Sequence, residues 1–319
     1  MAKLFRRNAC ILFALLPALA PLAAPAATKK HTKKATATPR VVKPVAPATP
    51  EPAEEPLPLG LKQVVPDFPA GMAELPLAAK GAIVIDALTG QTIYEKNADE
   101  AQYPASTTKI MTALLVIEAG NLDKMIEVTE DDSKVGESSL DIKPGDKFTR
   151  RDALYGLMLK SANDVAHALG RDNAGSIEAF AEKMTRRAEE LGATNTHFAN
   201  PNGLHNLQHY TSPRALALIA RAAMQQPLFR QIVGTQFYPW NIASTGPREL
   251  QNHNRLLWLF PGCIGVKTGY TIPAQQVLVS AAQWNCRDVI AVVMHDNKPG
   301  IWDDSRMLLT WGLEHLPKE

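Results

Sequence analysis

Ser106 and Lys109 are the two residues whose types and spacing point most directly to chemistry. A separation of three residues places both side chains on one face of a helix, one turn apart. Residues 110–117 are almost entirely apolar, so this helix should be buried. Burial lowers the pKa of a lysine, and a neutral amine can accept the proton of a serine hydroxyl. The alternative is that Ser106 only caps the helix while Lys109 extends to water.

Two later stretches carry complementary groups. Ser161 and Asn163 lie between two predicted helical segments, where a loop can present a hydroxyl and an amide to a cleft. Lys267 and Thr268 begin a predicted strand, and Gly269 after them would let a ligand approach the backbone closely. Each stretch alone is also typical of an ordinary turn or strand start. Chance rarely produces all three patterns, S-x-x-K, S-x-N and K-T-G, in this order, so together they predict a serine-based active site.

The ordered triplet resembles that of the serine penicillin-recognising enzymes. From about residue 80 to 316, the chain is more closely similar to the low-molecular-weight D-alanyl-D-alanine carboxypeptidases. The similarity extends to NPNGL at 200–204, HYT at 209–211, NHNRLL at 252–257 and GVKTGYT at 265–271. The resemblance implies a serine peptidase without a cofactor, which acts on peptidoglycan pentapeptides and is covalently inhibited by β-lactam antibiotics.

The resemblance also implies roles for the catalytic side chains. Ser106 would attack the carbonyl of a terminal D-Ala-D-Ala peptide and form an acyl-enzyme, with Lys109 as its base. Ser161 would relay a proton to the departing D-alanine. Asn163 would hold the substrate amide.

The third stretch would bind the substrate. By the same resemblance, Lys267 and Thr268 would bind the terminal carboxylate, and Gly269 would leave room for the ligand beside the strand. Backbone N–H groups of Ser106 and Tyr270 would form the oxyanion hole. A positive charge on Lys267 would also favour the neutral form of the catalytic lysine.

Several departures leave alternatives open. Ala162 stands where such carboxypeptidases often have glycine, and AQQ at 274–276 replaces the usual Ala-Gly near the cleft rim. A D,D-endopeptidase that cuts peptidoglycan crosslinks is the nearest alternative. A β-lactamase is less favoured because no E-x-x-L-N stretch lies between Asn163 and Lys267. A non-catalytic penicillin sensor would leave the triplet unexplained. We also expect no C-terminal β domain.

Two further pairs of residues have ligand-forming side chains. His205 and His209 have a zinc-like spacing, but no acidic third ligand is near, so we expect no metal site. Cys263 and Cys286 flank a predicted hairpin and could form a disulfide in an oxidising compartment. The sequence leaves that pairing open.

The elements that must position these residues begin and end with strands. Residues 81–97 predict a β-hairpin, and the apolar helix starts at Ser106. The further predicted helices are 151–159, 163–170, 177–191, 213–224 and 302–315, and the further strands are 265–270, 277–282 and 289–294. This order predicts a mixed α/β fold of the β-lactamase/DD-peptidase type, with an antiparallel sheet formed by N- and C-terminal strands and an inserted all-helical lobe.

The N-terminal sequence predicts export. Residues 1–27 combine a basic start, a short apolar run and small residues, as in a cleaved signal peptide, so the mature protein should be periplasmic or secreted. Residues 28–58 are rich in Pro, Ala and Lys and predict a disordered leader before a catalytic domain at 59–319.

Charge is distributed unevenly between these regions. Residues 1–58 hold nine Lys or Arg against three Glu, whereas residues 59–319 hold 25 basic and 29 acidic residues. The mildly acidic body argues against nucleic-acid binding. The basic leader could make weak contact with the cell wall or with anionic surfaces. Its cations are Lys29, Lys30, Lys33, Lys34, Arg40 and Lys43.

Overall fold

The computed structural model describes residues 74–316, so the predicted signal peptide and leader lie outside the described residues. The strands are β1 (Gly81–Asp86), β2 (Thr92–Lys96), β3 (Met125–Glu127), β4 (Lys147–Thr149), β5 (Phe237–Ile242), β6 (Gly246–Gln251), β7 (Cys263–Thr271), β8 (Gln275–Trp284) and β9 (Arg287–Asp296). The α-helices are α1 (Lys109–Ala119), α2 (Glu130–Ser133), α3 (Arg150–Leu159), α4 (Asn163–Ala174), α5 (Ile177–Glu190), α6 (Pro213–Met224), α7 (Pro227–Gly234), α8 (Leu256–Leu259) and α9 (Gly300–His315).

Strands from both ends of this region form one antiparallel sheet in the order β2-β1-β9-β8-β7. Alternation along a strand sends successive side chains to opposite faces, and both faces are apolar. In β1, Ile83 and Ile85 pack with the helices of the inserted lobe, whereas Val84 packs with Leu308 and Leu309 of α9. The sheet is therefore covered on both sides, which confirms the predicted assembly from the two termini.

Helix α1 lies at the centre of the inserted lobe. Every residue from Lys109 to Val116 is buried, as the apolar sequence predicts. The helix contacts α3, α4, α5, α6 and α7. A helix enclosed in this way holds its first turn, which begins at Lys109, in a fixed position.

The inserted lobe is not all-helical, contrary to the sequence expectation. The short ribbons β3–β4 and β5–β6 lie within it. β5 and β6 bury only Trp240, Ile242 and Leu250 and expose most other side chains, so they lack a strong apolar pattern. In contrast, α6 begins as predicted, because Ser212 caps its first turn and Pro213 follows. Within residues 74–316, no helix is long and apolar enough to span a bilayer.

Candidate active site

Ser106 and Lys109 meet at the entrance to the buried helix. Ser106 lies in a 3₁₀ turn, Ala105–Thr108, that leads directly into α1. Neither the turn nor the helix uses a side-chain cap, so capping does not occupy the Ser106 hydroxyl. Lys109 is 0% exposed and its Nζ lies 2.9 Å from Ser106 Oγ. The alternative interpretation, in which Ser106 only caps the helix and Lys109 extends to water, is therefore wrong.

The surroundings of Lys109 suit a neutral amine. Its Nζ also lies 2.7 Å from Asn163 Oδ1 and 2.5 Å from the carbonyl oxygen of Asn202. Burial, and then the nearby charge of Lys267, hold the pKa of Lys109 well below its usual range. A neutral amine has two N–H donors and one lone pair. The two oxygens can accept only, so the donors go to them and the lone pair faces the hydroxyl of Ser106.

The second stretch lies immediately before α4. Ser161 has a φ of 61° and lines the cavity in front of Ser106. Asn163 is almost fully buried, and its Nδ2 donates to the Gly136 carbonyl at 3.2 Å. Both ends of the Asn163 amide are thus engaged within the protein, and its oxygen orients Lys109. A role for Asn163 in holding the substrate amide stays a prediction.

The third stretch lies on the edge strand β7. Lys267 is buried, its Nζ donates to the Thr268 carbonyl at 3.0 Å, and burial lowers its pKa to about 7. A Cβ at Gly269 would lie 2.9 Å from Ser106 N, so the strand passes too close to the 3₁₀ turn for any side chain there. Glycine is therefore required for the close approach of two backbones. Tyr270, next along β7, is 55% exposed.

A cavity of about 250 Å³ opens in front of these groups. It is lined by Ser106, Ser138, Ser161, His253, Thr268, Gly269, Tyr270, Gln276, Lys298 and Trp302. Burial lowers the pKa of His253 to about 3, so this histidine is neutral at physiological pH. Lys298 is exposed and is the one Lys or Arg among these lining residues, which include no Asp or Glu. The cavity therefore favours an anionic ligand.

The turn at residues 200–204 is a part of the site whose role the sequence did not reveal. It supplies the Asn202 carbonyl to Lys109. A Cβ at Gly203, which has a φ of 86°, would lie 1.9 Å from the Ala105 carbonyl oxygen. Asn200 Oδ1 accepts a hydrogen bond from the Gly203 N–H at 2.7 Å and so shapes the turn. The resemblance at NPNGL marked this stretch, but residue types alone could not assign a backbone carbonyl to Lys109.

The two histidines of the zinc-like spacing have separate structural contacts. Nδ1 of His209 accepts from the Ala199 N–H at 3.2 Å, so Nε2 carries the proton and donates to Thr108 Oγ1 at 2.8 Å. Burial lowers the pKa of His209 to about 3, which keeps this tautomer neutral. The ring of His205 packs edge-on against Tyr103. His209 thus supports the turn that carries Ser106.

The structure decides the pairing of Cys263 and Cys286, which the sequence left open. Cys263 carries a free thiol, so no disulfide joins it to Cys286. Its S–H donates to the Gly265 carbonyl at 3.3 Å, and burial raises its pKa to about 11. Cys263 is paired with Ala282 in the β7–β8 ladder, and Ala282 lies four residues before Cys286 in the chain.

Comparisons with known proteins agree with this geometry. A sequence model described as D-alanyl-D-alanine carboxypeptidase matches residues 69–298. A D-alanyl-D-alanine carboxypeptidase of Bacillus subtilis is 36% identical over 71% of this chain, which spans 60% of that relative. One from Mycobacterium tuberculosis is 33% identical over 78% of this chain and 88% of its own length. The crystal structure of the Streptomyces K15 DD-transpeptidase, 35% identical, superposes with a TM-score of 0.72 over 76% of this chain and 99% of that one.

Proposed function

Because this chain belongs to the D-alanyl-D-alanine carboxypeptidase family of serine peptidases, we propose that it removes the terminal D-alanine from peptidoglycan stem peptides. The observation that supports this most is the contact between the buried Lys109 amine and Ser106 Oγ at 2.9 Å. A base with a lowered pKa beside a hydroxyl is the arrangement that makes serine nucleophilic.

The reaction proceeds in two steps. Lys109 Nζ takes the proton of Ser106, and Oγ attacks the carbonyl carbon of the penultimate D-alanine. Backbone N–H groups of Ser106 and Tyr270 hold the negative oxygen, and each such donor contributes about 3 kcal/mol. The C–N bond breaks as Ser161 relays the proton from Lys109 to the nitrogen of the leaving D-alanine, which leaves Lys109 neutral again. Water, deprotonated by Lys109, then attacks the ester, which releases the shortened peptide and restores the Ser106 hydroxyl.

Substrate recognition rests on positive charge at the strand edge and rim. Lys267 and Thr268 would bind the terminal carboxylate, in keeping with the resemblance. Because burial lowers the pKa of Lys267 to about 7, its positive charge is present at acid pH and is lost as the pH rises through about 7. Lys298, at the cavity wall, adds a second basic side chain that solvent reaches.

We also propose that β-lactams acylate Ser106 and are released slowly. A β-lactam presents a strained amide and a carboxylate, the same pair of groups that the peptide presents. Among residues 74–316, those that line the cavity include no Asp or Glu that could activate a deacylating water beside the bound drug. Slow release would argue for a peptidase rather than a β-lactamase.

The direct test uses a mixture of muropeptides. Wild-type protein should shorten pentapeptides by one alanine, whereas Ser106→Ala, at equal folded concentration, should leave them intact. Mass spectrometry of the products identifies the bonds that are lost. Conversion of crosslinked dimers to monomers without loss of terminal alanine would instead identify a D,D-endopeptidase. Unchanged pentapeptides with wild-type protein would overturn the proposal.

Export and envelope contact form a separate proposal, which the sequence of residues 1–58 supports. We propose that the mature protein is periplasmic or secreted and that the cations of residues 28–58 contact anionic polymers. Deleting 28–58 should leave turnover of a small D-Ala-D-Ala peptide unchanged and reduce co-sedimentation with cell walls at low salt. Since charge attraction is screened within about 10 Å at 0.1 M salt, wild-type binding should also fall with salt. Equal sedimentation of both forms would refute the contact.

A further inference from the structure

The segment 136–142, which we call the wall loop, connects the active site to a buried carboxylate. It lies between α2 and β4 and has no strand partners. Ser138 from this loop lines the cavity in front of the catalytic serine. The loop also meets Asn163 twice, because the Ser138 carbonyl accepts from the Asn163 N–H at 2.6 Å and the Gly136 carbonyl accepts from Asn163 Nδ2 at 3.2 Å. The wall loop therefore supports the residue that orients Lys109.

Asp164 holds the wall loop through hydrogen bonds from the start of α4. Its carboxylate is 0% exposed and lies next to Asn163 at the start of α4. It accepts from Ser139 Oγ at 2.6 Å, from the Leu140 N–H at 3.0 Å and from the Ile142 N–H at 3.3 Å. Its other oxygen accepts from the Val165 N–H at 2.8 Å. The N–H groups of the loop have no partner strand, so the Asp164 carboxylate accepts the hydrogen bonds that a neighbouring strand would otherwise accept.

The same carboxylate acts on the catalytic lysine through its charge. Four influences act on the pKa of Lys109. Burial and the charge of Lys267 lower it, while the negative charges of Asp164 and Glu137 raise it. Glu137 is exposed and its side chain makes no hydrogen bond to the wall loop among those found in residues 74–316. Glu137 thus shares the electrostatic effect of Asp164 without its hydrogen bonds.

We propose that Asp164 is a positioning residue of the reaction: it holds the wall loop in the conformation in which Asn163 orients Lys109 and Ser138 faces the substrate. The inference rests on the proposed function. It adds a role for the residue that directly follows the S-x-N stretch. The path runs through three contacts: a buried one from Asp164 to the loop backbone, a part-buried one from the loop to Asn163, and a buried one from Asn163 to the lysine.

The test compares three variants with the wild type. Asp164→Asn replaces one acceptor oxygen with an NH₂ group that faces N–H donors, so the loop should detach. We expect acylation by a fluorescent penicillin to slow on the order of 100-fold, the effect of a small misplacement at a reactive group. Amides of Leu140 and Ile142 should exchange hydrogen faster, while those of α1 stay protected. Glu137→Gln, the charge control, should keep the plateau rate.

The pH profile separates positioning from a general loss of stability. Removing a negative charge lowers the pKa of Lys109 further, so the acid limb of the acylation rate should move to lower pH in both Asp164→Asn and Glu137→Gln. Only Asp164→Asn should also lose plateau rate. Ser139→Asp serves as the second loop variant. It keeps Asp164 but places a second carboxylate beside it at a partly exposed position. Because the two carboxylates repel each other, this variant should also slow acylation.

The outcomes are distinguishable. If wild type neither reacts with penicillin nor cleaves pentapeptide, the proposed function fails. If wild type reacts and folded Asp164→Asn or Ser139→Asp acylates at the wild-type plateau rate, Asp164 is not a positioning residue. Slow acylation with unchanged exchange at Leu140 and Ile142 would also overturn it, because the loop would then not carry the effect.

Discussion

Replacing Lys109 with alanine should slow acylation of Ser106 while the protein stays folded. The substitution removes the only side-chain nitrogen found within hydrogen-bonding distance of Ser106 Oγ in the described region. It leaves the Asn163 amide oxygen and the Asn202 carbonyl without their donor. The cavity so created is polar, so a water can occupy it and satisfy both oxygens.

The size of the effect follows from these contacts. A positioned general base commonly contributes between about 10²- and 10⁴-fold, and burial of Lys109 places it at the upper part of that range. We therefore expect a loss on the order of 10³-fold in the acylation rate, equivalent to about 4 kcal/mol of barrier. Stability should fall by less. Each unsatisfied acceptor costs about 1–3 kcal/mol, but the buried amine and its desolvation are removed as well.

The assay is the rate of labelling by a fluorescent penicillin, followed on denaturing gels at equal folded concentration. Lys109→Arg is the matched control, because guanidinium still donates to Asn163 and Asn202 but cannot accept a proton at any accessible pH. Both variants should be slow. If Lys109→Arg, shown to be folded by its melting curve, labels within tenfold of wild type, then charge rather than proton acceptance activates Ser106 and the reasoning is refuted.

Three further predictions rest on the same geometry. The lowered pKa of Lys109 should extend kcat/KM for a D-Ala-D-Ala peptide to lower pH than an ordinary lysine base would allow. kcat/KM should fall as the pH rises through about 7, where Lys267 loses the proton whose charge binds the carboxylate; a rate that keeps rising well above pH 7 would contradict this. Gly203→Ala should fold poorly or lose acylation, since its Cβ would lie 1.9 Å from the Ala105 carbonyl; wild-type activity and melting temperature would refute the required close approach. Lys298→Met should raise KM by about 1.4-fold to fivefold at low salt with kcat retained, the range of an exposed charge contact, and an unchanged KM would remove Lys298 from substrate binding.

Local sequence signals predicted much of this protein. A three-residue spacing on an apolar helix brought Ser106 and Lys109 into contact, and the cap-and-proline pair at Ser212 and Pro213 marked the start of α6. These features are local because a helix turn or a strand relates residues that are close in sequence. The sheet was predictable for the same reason, since the apolar runs at both ends of the catalytic region are strong.

Contacts made by the backbone could not be predicted from the sequence. Asn202 touches Lys109 through its carbonyl across 93 residues, and every residue type has a carbonyl. The partners of Asp164 are mainly N–H groups of an irregular loop, and no residue pattern predicts such contacts. The ribbon β5–β6 was missed because it buries few side chains. The sequence thus indicated which side chains meet at the candidate site, but not which backbone groups orient them.

The central claim is that Ser106 forms the acyl-enzyme with a D-Ala-D-Ala peptide. The most direct measurement is to mix the purified protein with a pentapeptide, quench in acid within the first turnover, digest, and locate the added mass by tandem mass spectrometry. We predict that the tetrapeptide acyl group is on Ser106, that free D-alanine appears in equal amount, and that Ser106→Ala shows neither. An acyl group on another residue, or release of D-alanine by Ser106→Ala, would contradict the account.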